Sequence, residues 1–326
     1  MVHSVVEKKK PTDLKVHIRG RINNLGAIVP RGVLQVANYG PAPEMPTSSS
    51  GRLELAHWIV DPANPLTSRV MANRIWHWLF GAGLVRTVDN FGTMGESPSH
   101  PELLDHLSVH FIQQGWSVKK LIRTIVLSRT YRLSSSRGGQ PKDPENRLLA
   151  HMNRRRLDAE AIRDTMLSVS GALDLEMGGA TFPANLEKDV GFQFEAPRRS
   201  VYVPVFRSSL PELFEVFDFA NSSLVTGRRD ISTVAPQALF MMNHPFVRAQ
   251  AKLTAERLLG DSQPKEAQRI DHAYLRILGR HPTEAEIALS QEFLKSVIDT
   301  TEKGRVEAGT QMVQSLFSTI DFRYVR

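Results

Sequence analysis

Apolar residues recur at the helical spacing of three and four positions over most of the chain after residue 51. Such stripes indicate amphipathic helices that bury one face. The helices predicted from this pattern begin near Arg52, Met71, Pro101, Val118, Leu157, Ala235, Glu266, Glu284 and Arg305. Five of them have predicted ends as well: before Pro62, at Phe80, at Leu173 for the stripe from Leu157, at Leu278 for the helix from Glu266, and at Ile320 for the last one. The expected fold is mainly α, a multi-helical globular domain with a few short β-strands.

Several helix ends carry recognisable signals. Gly81 directly follows an apolar helix that ends at Phe80, which is typical of a C-terminal cap. Ser99 and Glu102 have the spacing of a capping box, and so do Thr283 and Glu286. These signals predict where helices start and stop.

The N-terminal 50 residues and a segment near residue 200 have different patterns. Apolar and polar residues alternate over 14–19 and again over 200–205, which predicts short strands. Residues 38–51 are rich in Pro, Ser and Gly and are typical of an extended linker. We therefore expect a strand-containing segment and linker over 1–50. A helical subdomain should cover 51–135. Residues 136–205 should form a long helix plus irregular and strand segments. A C-terminal helical subdomain, packed as one unit, should cover 206–326.

The composition narrows the functional classes. The chain has no cysteine, which excludes disulfides, thiolate zinc sites, iron–sulfur clusters and c-type haem attachment on this chain. The formal net charge of +7 favours acidic partners such as nucleic acid or anionic polysaccharide. No apolar run reaches the ~20 residues that span a bilayer. The first ten residues lack the apolar core of a signal peptide. Taken alone, this predicts either a cytoplasmic protein or, equally, a chain whose first part is missing.

Common catalytic and cofactor motifs are absent from the sequence. It contains no phosphate-binding loop, no Gly-x-Ser-x-Gly and no His-Glu-x-x-His, so we predict no cofactor on this chain. Glu102, His106 and His110 lie one turn apart on a predicted helix and have the types of side chain that bind a metal. A polar helix face explains them more simply, and we predict no metal site.

Two charged stretches are the main candidates for chemistry. Arg74 lies beside Asn73 on a helix with little room for a solvent-facing side, which predicts a buried guanidinium paired with Asp89. Farther along, charged residues follow Arg156 at helical spacing and fit either acid–base chemistry or a salt-bridge ladder along one helix. The candidate site residues are Asn73, Arg74, Asp89, Asn90, His100, Arg156, Asp158, Glu160, Arg163 and Asp164.

A series of short motifs in a fixed order resembles a known family. The motifs are Asn-Arg-Ile-Trp (73–76), Phe-Gly-Ala-Gly-Leu-Val (80–85), Asp-Asn-Phe-Gly (89–92), Pro-Ser-His-Pro-Glu-Leu-Leu (98–104), Gly-Trp-Ser (115–117), Ser-Arg-Thr-Tyr-Arg (128–132), Arg-Arg-Leu-Asp-Ala-Glu-Ala-Ile-Arg-Asp (155–164), Pro-Gln-Ala-Leu (236–239) and Asp-Phe-Arg-Tyr (321–324). Together they resemble the C-terminal domain of unknown function in planctomycete-type cytochrome c proteins, over residues 15–326.

The resemblance implies an extracytoplasmic location, in the periplasm or at the cell surface. It also implies possible partners, namely a sulfatase-like exported protein encoded nearby or cell-envelope polysaccharide. This chain lacks the haem-binding part of that family, and the family brings no established activity. The sequence therefore favours a non-catalytic interaction or structural role. The alternatives are a hydrolase acting on acidic polysaccharide and, less favoured, a basic protein that binds nucleic acid.

Overall fold

The computed structural model confirms the mainly α fold with a few short strands. It describes residues 5–7, 10–38, 40–135, 142–182, 186, 192, 194–207, 209–260, 265–297 and 301–325. The chain divides into two compact units, Met1–Met152 and Asn153–Arg326. Each unit has its own hydrophobic core, and each is described separately below.

The first unit begins with an antiparallel hairpin. Strand β1 (Leu14–His17) confirms the predicted strand and pairs with β2 (Leu25–Val29), with Leu14 opposite Val29. A 3-10 turn, Ile18–Gly20, follows β1 directly, so the strand is shorter than the alternating pattern. Every residue of β1 is exposed.

Four helices follow in the first unit: α1 (Arg52–Val60), α2 (Thr67–Phe80), α3 (Pro101–Gln113) and α4 (Val118–Val126). The core lies between α2, α3 and α4, where Phe80, Leu107 and Leu121 are buried. Helix α1 contributes no buried residue. The apolar stripes on α2 to α4 therefore account for the core of this unit.

The ends of these helices test the predicted caps. Gly81 has the left-handed conformation, with φ 81°, and caps α2 as predicted. Ser117 accepts a hydrogen bond from the amide of Lys120 at the start of α4. The capping box predicted at Ser99 is wrong, since the Ser99 hydroxyl instead hydrogen-bonds the ring of the adjacent His100, at 2.9 Å.

The second unit contains eight helices within its described ranges: α5 (Ala159–Ser170), α6 (Glu212–Val216), α7 (Ala235–Asn243), α8 (Pro245–Gly260), α9 (Glu266–Leu278), α10 (Glu284–Ser296), α11 (Glu302–Ser318) and α12 (Ile320–Arg323). Two short strands, β3 (Arg155–Arg156) and β4 (Tyr324–Val325), pair antiparallel. The core surrounds α8, whose Val247 and Ala251 are fully buried beside Ile162 and Phe317.

Three predicted elements of this unit need correction. The strand over 200–205 is wrong, because residues Ser200–Tyr202 form a 3-10 turn held to α5 by Asp164. The helix predicted to begin at Leu157 starts at Ala159, because the Leu157 amide donates to the carbonyl of Arg323 instead. The last helix is split, since Thr319 ends α11 and caps α12.

None of the helices in the described ranges combines the length and apolar character that a bilayer-spanning helix needs.

Candidate functional site

Charged side chains at the start of α5 each hold a different segment of the second unit. Arg156 is the most enclosed, with a side chain that is 4% exposed. Its guanidinium lies 2.7 Å from a carboxylate oxygen of Asp218 and also donates to the backbone carbonyls of Phe217 and Ser232. Arg156 therefore ties β3 to the segment that follows α6.

Asp218 completes this contact from an uncommon backbone conformation. Its φ is 57°, in the left-handed region, which asparagine and aspartate tolerate better than other residues with a side chain. Its carboxylate accepts hydrogen bonds from the amide and the hydroxyl of Ser232, at 2.9 and 2.8 Å. Burial alone would raise the pKa of Asp218, but the hydrogen bonds from Ser232 and Arg156 outweigh it and lower the pKa. The carboxylate is thus held ionised as a partner for Arg156.

Gln237 supports the same contact from helix α7. It is fully buried, and its amide nitrogen lies within hydrogen-bonding distance of the Val216 carbonyl and of Ser232. The amide oxygen has no hydrogen-bond partner. Gln237 is the polar residue in the Pro-Gln-Ala-Leu motif, and its position places that motif beside the Asp218 contact.

Glu160 contacts a distant arginine and no neighbour on its own helix. Both of its carboxylate oxygens accept hydrogen bonds from Arg229, at 2.7 and 2.8 Å. These hydrogen bonds raise the pKa of Arg229, although burial opposes the shift. Arg229 also lies over the ring of Phe219, 4.8 Å from its centroid. Glu160 therefore does not take part in a salt-bridge ladder along α5.

Arg163 and Asp164 hold the segment that precedes the 3-10 turn. Arg163 donates to the carbonyls of Ala196 and Arg198, both at 2.8 Å, while Asp164 accepts from the amide and hydroxyl of Ser200. Burial lowers the pKa of Arg163, and the neighbouring Asp164 opposes this shift. Both side chains are engaged in structural contacts.

Asp158 differs from the other candidates on this helix. It is exposed at the N-terminal cap position of α5 and forms no side-chain capping bond. Its charge contributes to the raised pKa of Arg229, so it lies in the same electrostatic environment as Glu160.

Arg323 is the buried charge that this network leaves without a counter-ion. The residue is 7% exposed, and its Nε is enclosed without a hydrogen-bond partner. Burial lowers the pKa of its guanidinium, the nearby Tyr324 opposes the shift, and the positive charge of Arg156 lowers it further. No described carboxylate forms an ion pair with Arg323. Two like charges are thus close together, and only Arg156 is neutralised.

Among the five candidate residues of the first unit, the buried one is Asn73. It is fully buried on α2, and its amide forms two hydrogen bonds with the backbone of Val85, one in each direction, at 2.8 and 2.9 Å. Gly83 lies against this contact, since a Cβ at Gly83 would be 2.9 Å from both heteroatoms of the Asn73 amide. The Asn-Arg-Ile-Trp and Gly-Ala-Gly-Leu-Val motifs therefore meet in one structural contact.

The prediction of a buried Arg74 is wrong, although its partner is as predicted. One terminal nitrogen of Arg74 lies 3.5 Å from Asp89, and the two side chains are 43% and 46% exposed. The helix turns Asn73 inward and leaves Arg74 at the solvent boundary. Such an exposed pair contributes little to stability.

Asn90 and His100 have local roles. The side-chain oxygen of Asn90 accepts a hydrogen bond from the Gly92 amide within a turn. His100 lies at the start of α3 and contacts Ser99, as described above. The five candidate residues of the first unit and the five of the second therefore lie in two separately described sets.

The histidine stripe of α3 also lies in the first unit. The rings of His106 and His110 are stacked 6.1 Å apart, and His110 contacts the hydroxyl of Thr124. No group of three potential metal ligands occurs among the described residues.

Comparison with known proteins gives one match. The sequence model of a protein family described as PSD1, protein of unknown function (DUF1553), matches residues 51–294. The chain belongs to this family. No curated protein and no solved structure matches it. The PSD1 match covers α1 to most of α10, whereas the N-terminal hairpin, α11 and Arg323 lie outside it.

Sequence reasoning missed four residues of the PSD1 protein that surround Arg156: Asp218, Ser232, Gln237 and Arg323. Asp218 and Ser232 sit in irregular segments with no helical or strand pattern, so periodicity gave no signal for them. Gln237 was visible as a polar residue inside an apolar helix. Arg323 was visible in the terminal Asp-Phe-Arg-Tyr motif, but its burial depends on packing that a local pattern cannot show.

Proposed function

We propose that this PSD1 chain is an interaction module of an exported cell-surface protein, of the planctomycete-type cytochrome kind, and that Arg323 receives an anionic group of its binding partner. The extracytoplasmic location rests on the motif resemblance. The observation that carries the binding role is the buried Arg323, whose Nε has no hydrogen-bond partner, which has no described counter-ion and which has Arg156 nearby.

The energetic argument starts from the cost of an unpaired buried charge. A desolvated cation is unfavourable unless an anion or several hydrogen-bond acceptors compensate it. Arg156 has such compensation in Asp218 and two carbonyls, whereas Arg323 has none among the described residues. A carboxylate or sulfate oxygen at Arg323 would supply the missing charge and reduce its repulsion with Arg156.

An acidic polysaccharide of the cell envelope is the favoured partner. The chain carries a formal net charge of +7, so a polyanion is attracted over a wide surface, and Arg323 supplies one desolvated contact within that attraction. A charge-assisted hydrogen bond contributes about 1.5 to 3 kcal/mol, or roughly a tenfold to hundredfold change in affinity.

The test uses binding of oligogalacturonate, which carries carboxylates, and of sulfated dextran oligosaccharide, with neutral dextran as the uncharged control. Calorimetric titration compares the parent with Arg323→Met and with Arg207→Met. Arg207 is an exposed arginine of the same unit, so its loss removes the same formal charge. We expect Arg323→Met to weaken binding at least tenfold and Arg207→Met to change it less than twofold.

Equal, small effects of the two variants would contradict a specific role for Arg323 and leave only general attraction to a polyanion. Absence of binding to both charged oligosaccharides would contradict the polysaccharide proposal. In that case an exported sulfatase-like protein would be tested on the immobilised chain. If the parent retains it and Arg323→Met does not, the anionic group belongs to a protein partner.

The hydrolase alternative has weaker support. General acid–base catalysis needs a carboxyl group that is available to a substrate. Glu160, Asp164 and Asp218 are engaged in structural hydrogen bonds. Among the five candidates of the second unit, Asp158 is the carboxylate that stays exposed. A nucleic-acid role rests on net charge alone, and steep salt dependence of duplex binding would be its signature.

A further inference from the structure

A cavity in the second unit lies between four of its helices. It has a volume of about 380 Å³ and is lined by residues of α8, α9 and α11 and by the end of α10. The wall is mainly apolar, and its members include Ala255, Leu258, Ile270, Leu294, Met312 and Val313. The volume falls in the usual range for small-ligand sites, and such sites are predominantly apolar with a few polar groups.

The lining also contains charged residues. They are Arg269, Arg305 and Glu266, two arginines and one glutamate. Glu266 and Arg305 are exposed, which places them at the solvent side of the cavity, while the apolar wall includes the fully buried Ile270 and Val313. The cavity therefore combines an apolar interior with a solvent side that carries Arg305 and Glu266.

We propose that this cavity binds an amphipathic anion, with a single alkyl chain against the apolar wall and an acidic head group at Arg305. The argument is one of charge and polarity matching. A purely polar ligand would gain nothing from the apolar wall, and the head group of an alkyl cation would be repelled by Arg305. The proposal is independent of the anionic group at Arg323, because the residues that form the two sites do not overlap.

The cavity size sets a chain-length dependence. A volume of 380 Å³ corresponds to about a dozen water molecules at their share of liquid volume, enough for a medium-length alkyl chain. Each methylene buried contributes about a fourfold gain in affinity. Affinity should therefore rise stepwise along a series of linear carboxylates and level off once the cavity is filled.

The experiment measures binding of octanoate, decanoate and dodecanoate, below their micellar concentrations, to the full chain by calorimetric titration. Dodecanol and dodecyltrimethylammonium are the neutral and cationic comparisons. We expect about a tenfold or greater gain from octanoate to dodecanoate, with both comparison compounds binding at least tenfold more weakly than dodecanoate. Arg305→Glu should weaken dodecanoate binding about tenfold, whereas Lys303→Glu, on the exposed first turn of the same helix, should not.

Filling the cavity provides the second test. Met312→Trp places a larger side chain in the wall and should reduce dodecanoate binding at least tenfold, with the helical circular dichroism retained. Val297→Trp, at the end of α10, does the same from another wall if Met312→Trp fails to fold. Binding that is unchanged in a folded filling variant, equal binding of the cationic amphiphile, or no binding of any carboxylate would overturn the proposal.

Discussion

The side-chain amide of Asn73 holds the backbone of Val85 by two reciprocal hydrogen bonds, and both residues are buried. One donates from the Asn73 nitrogen to the Val85 carbonyl, and the other donates from the Val85 amide to the Asn73 oxygen. This contact fixes the chain where it returns after α2. It gives a structural role to residues in two of the short motifs noted in the sequence.

Asn73→Ala should destabilise the first unit by about 2 to 4 kcal/mol, because it leaves a buried N–H and a buried carbonyl of Val85 without partners. Arg74→Ala should cost no more than about 1 kcal/mol, because the Arg74–Asp89 pair is exposed. Urea unfolding of both variants measures the difference. A larger loss for Arg74→Ala than for Asn73→Ala would contradict this assignment.

Gly83→Ala should also destabilise the protein strongly. The added methyl group would lie 2.9 Å from the Asn73 amide and closer still to the Val85 carbonyl oxygen, so the backbone has to move. Overpacking of this kind typically costs about 1 to 3 kcal/mol. Gly32→Ala is the matched control, because nothing lies within 4 Å of a Cβ there. Thermal unfolding of the two variants should separate them, and equal melting temperatures would refute the close contact.

The pH dependence of stability should include a contribution from Glu286. Hydrogen bonds from Arg280 are the main cause that lowers the pKa of Glu286 to about 2, with Thr283 adding to them against the opposing effect of burial. Since the folded pKa lies below the unfolded one, this stabilisation is fully present above about pH 4.5. It is lost as the pH falls from there to about 2.

Glu286→Gln tests this contribution. Glutamine keeps the reciprocal cap with Thr283 but removes the charge that pairs with Arg280. We expect a loss of about 1 to 2 kcal/mol at pH 7, after allowance for solvent screening, and a much smaller loss at pH 2, where Glu286 is about half protonated. Glu284→Gln, in the exposed first turn of the same helix, should have almost no effect. A Glu286→Gln deficit that is the same at both pH values would show that the charge is not responsible.

Local signals in the sequence predicted two of the three helix caps correctly. The capping box at Thr283 and Glu286 forms as predicted, and so does the cap at Gly81. The box at Ser99 does not form, because the neighbouring His100 takes the serine hydroxyl. The prediction that Arg74 is buried was wrong for a related reason. The spacing placed Arg74 on an apolar helix, but it did not show that Asn73 would occupy the buried side.

Helix α8 was missed because its buried face is partly polar. Gln250 and Thr254 are buried there, Gln250 accepts a hydrogen bond from Ser170, and Thr254 donates to the Gln250 carbonyl. Without an uninterrupted apolar stripe, periodicity gives a weak signal. The same limit applies to the Arg156 contact, whose partners are brought together by tertiary packing. That the ten candidate residues contribute to a functional site remains a prediction.

The stability of two arginine variants tests most directly whether Arg323 lacks a structural counter-ion. Arg156→Met and Arg323→Met replace similar side chains in the same region, and urea unfolding in a buffer without multivalent anions compares them. Arg156→Met should cost about 3 to 5 kcal/mol, because it strands the partly buried carboxylate of Asp218. Arg323→Met should leave stability unchanged or raise it, because it removes a desolvated charge that repels Arg156. A loss for Arg323→Met as large as that for Arg156→Met would contradict the account, since Arg323 would then be a structural residue with its own partner.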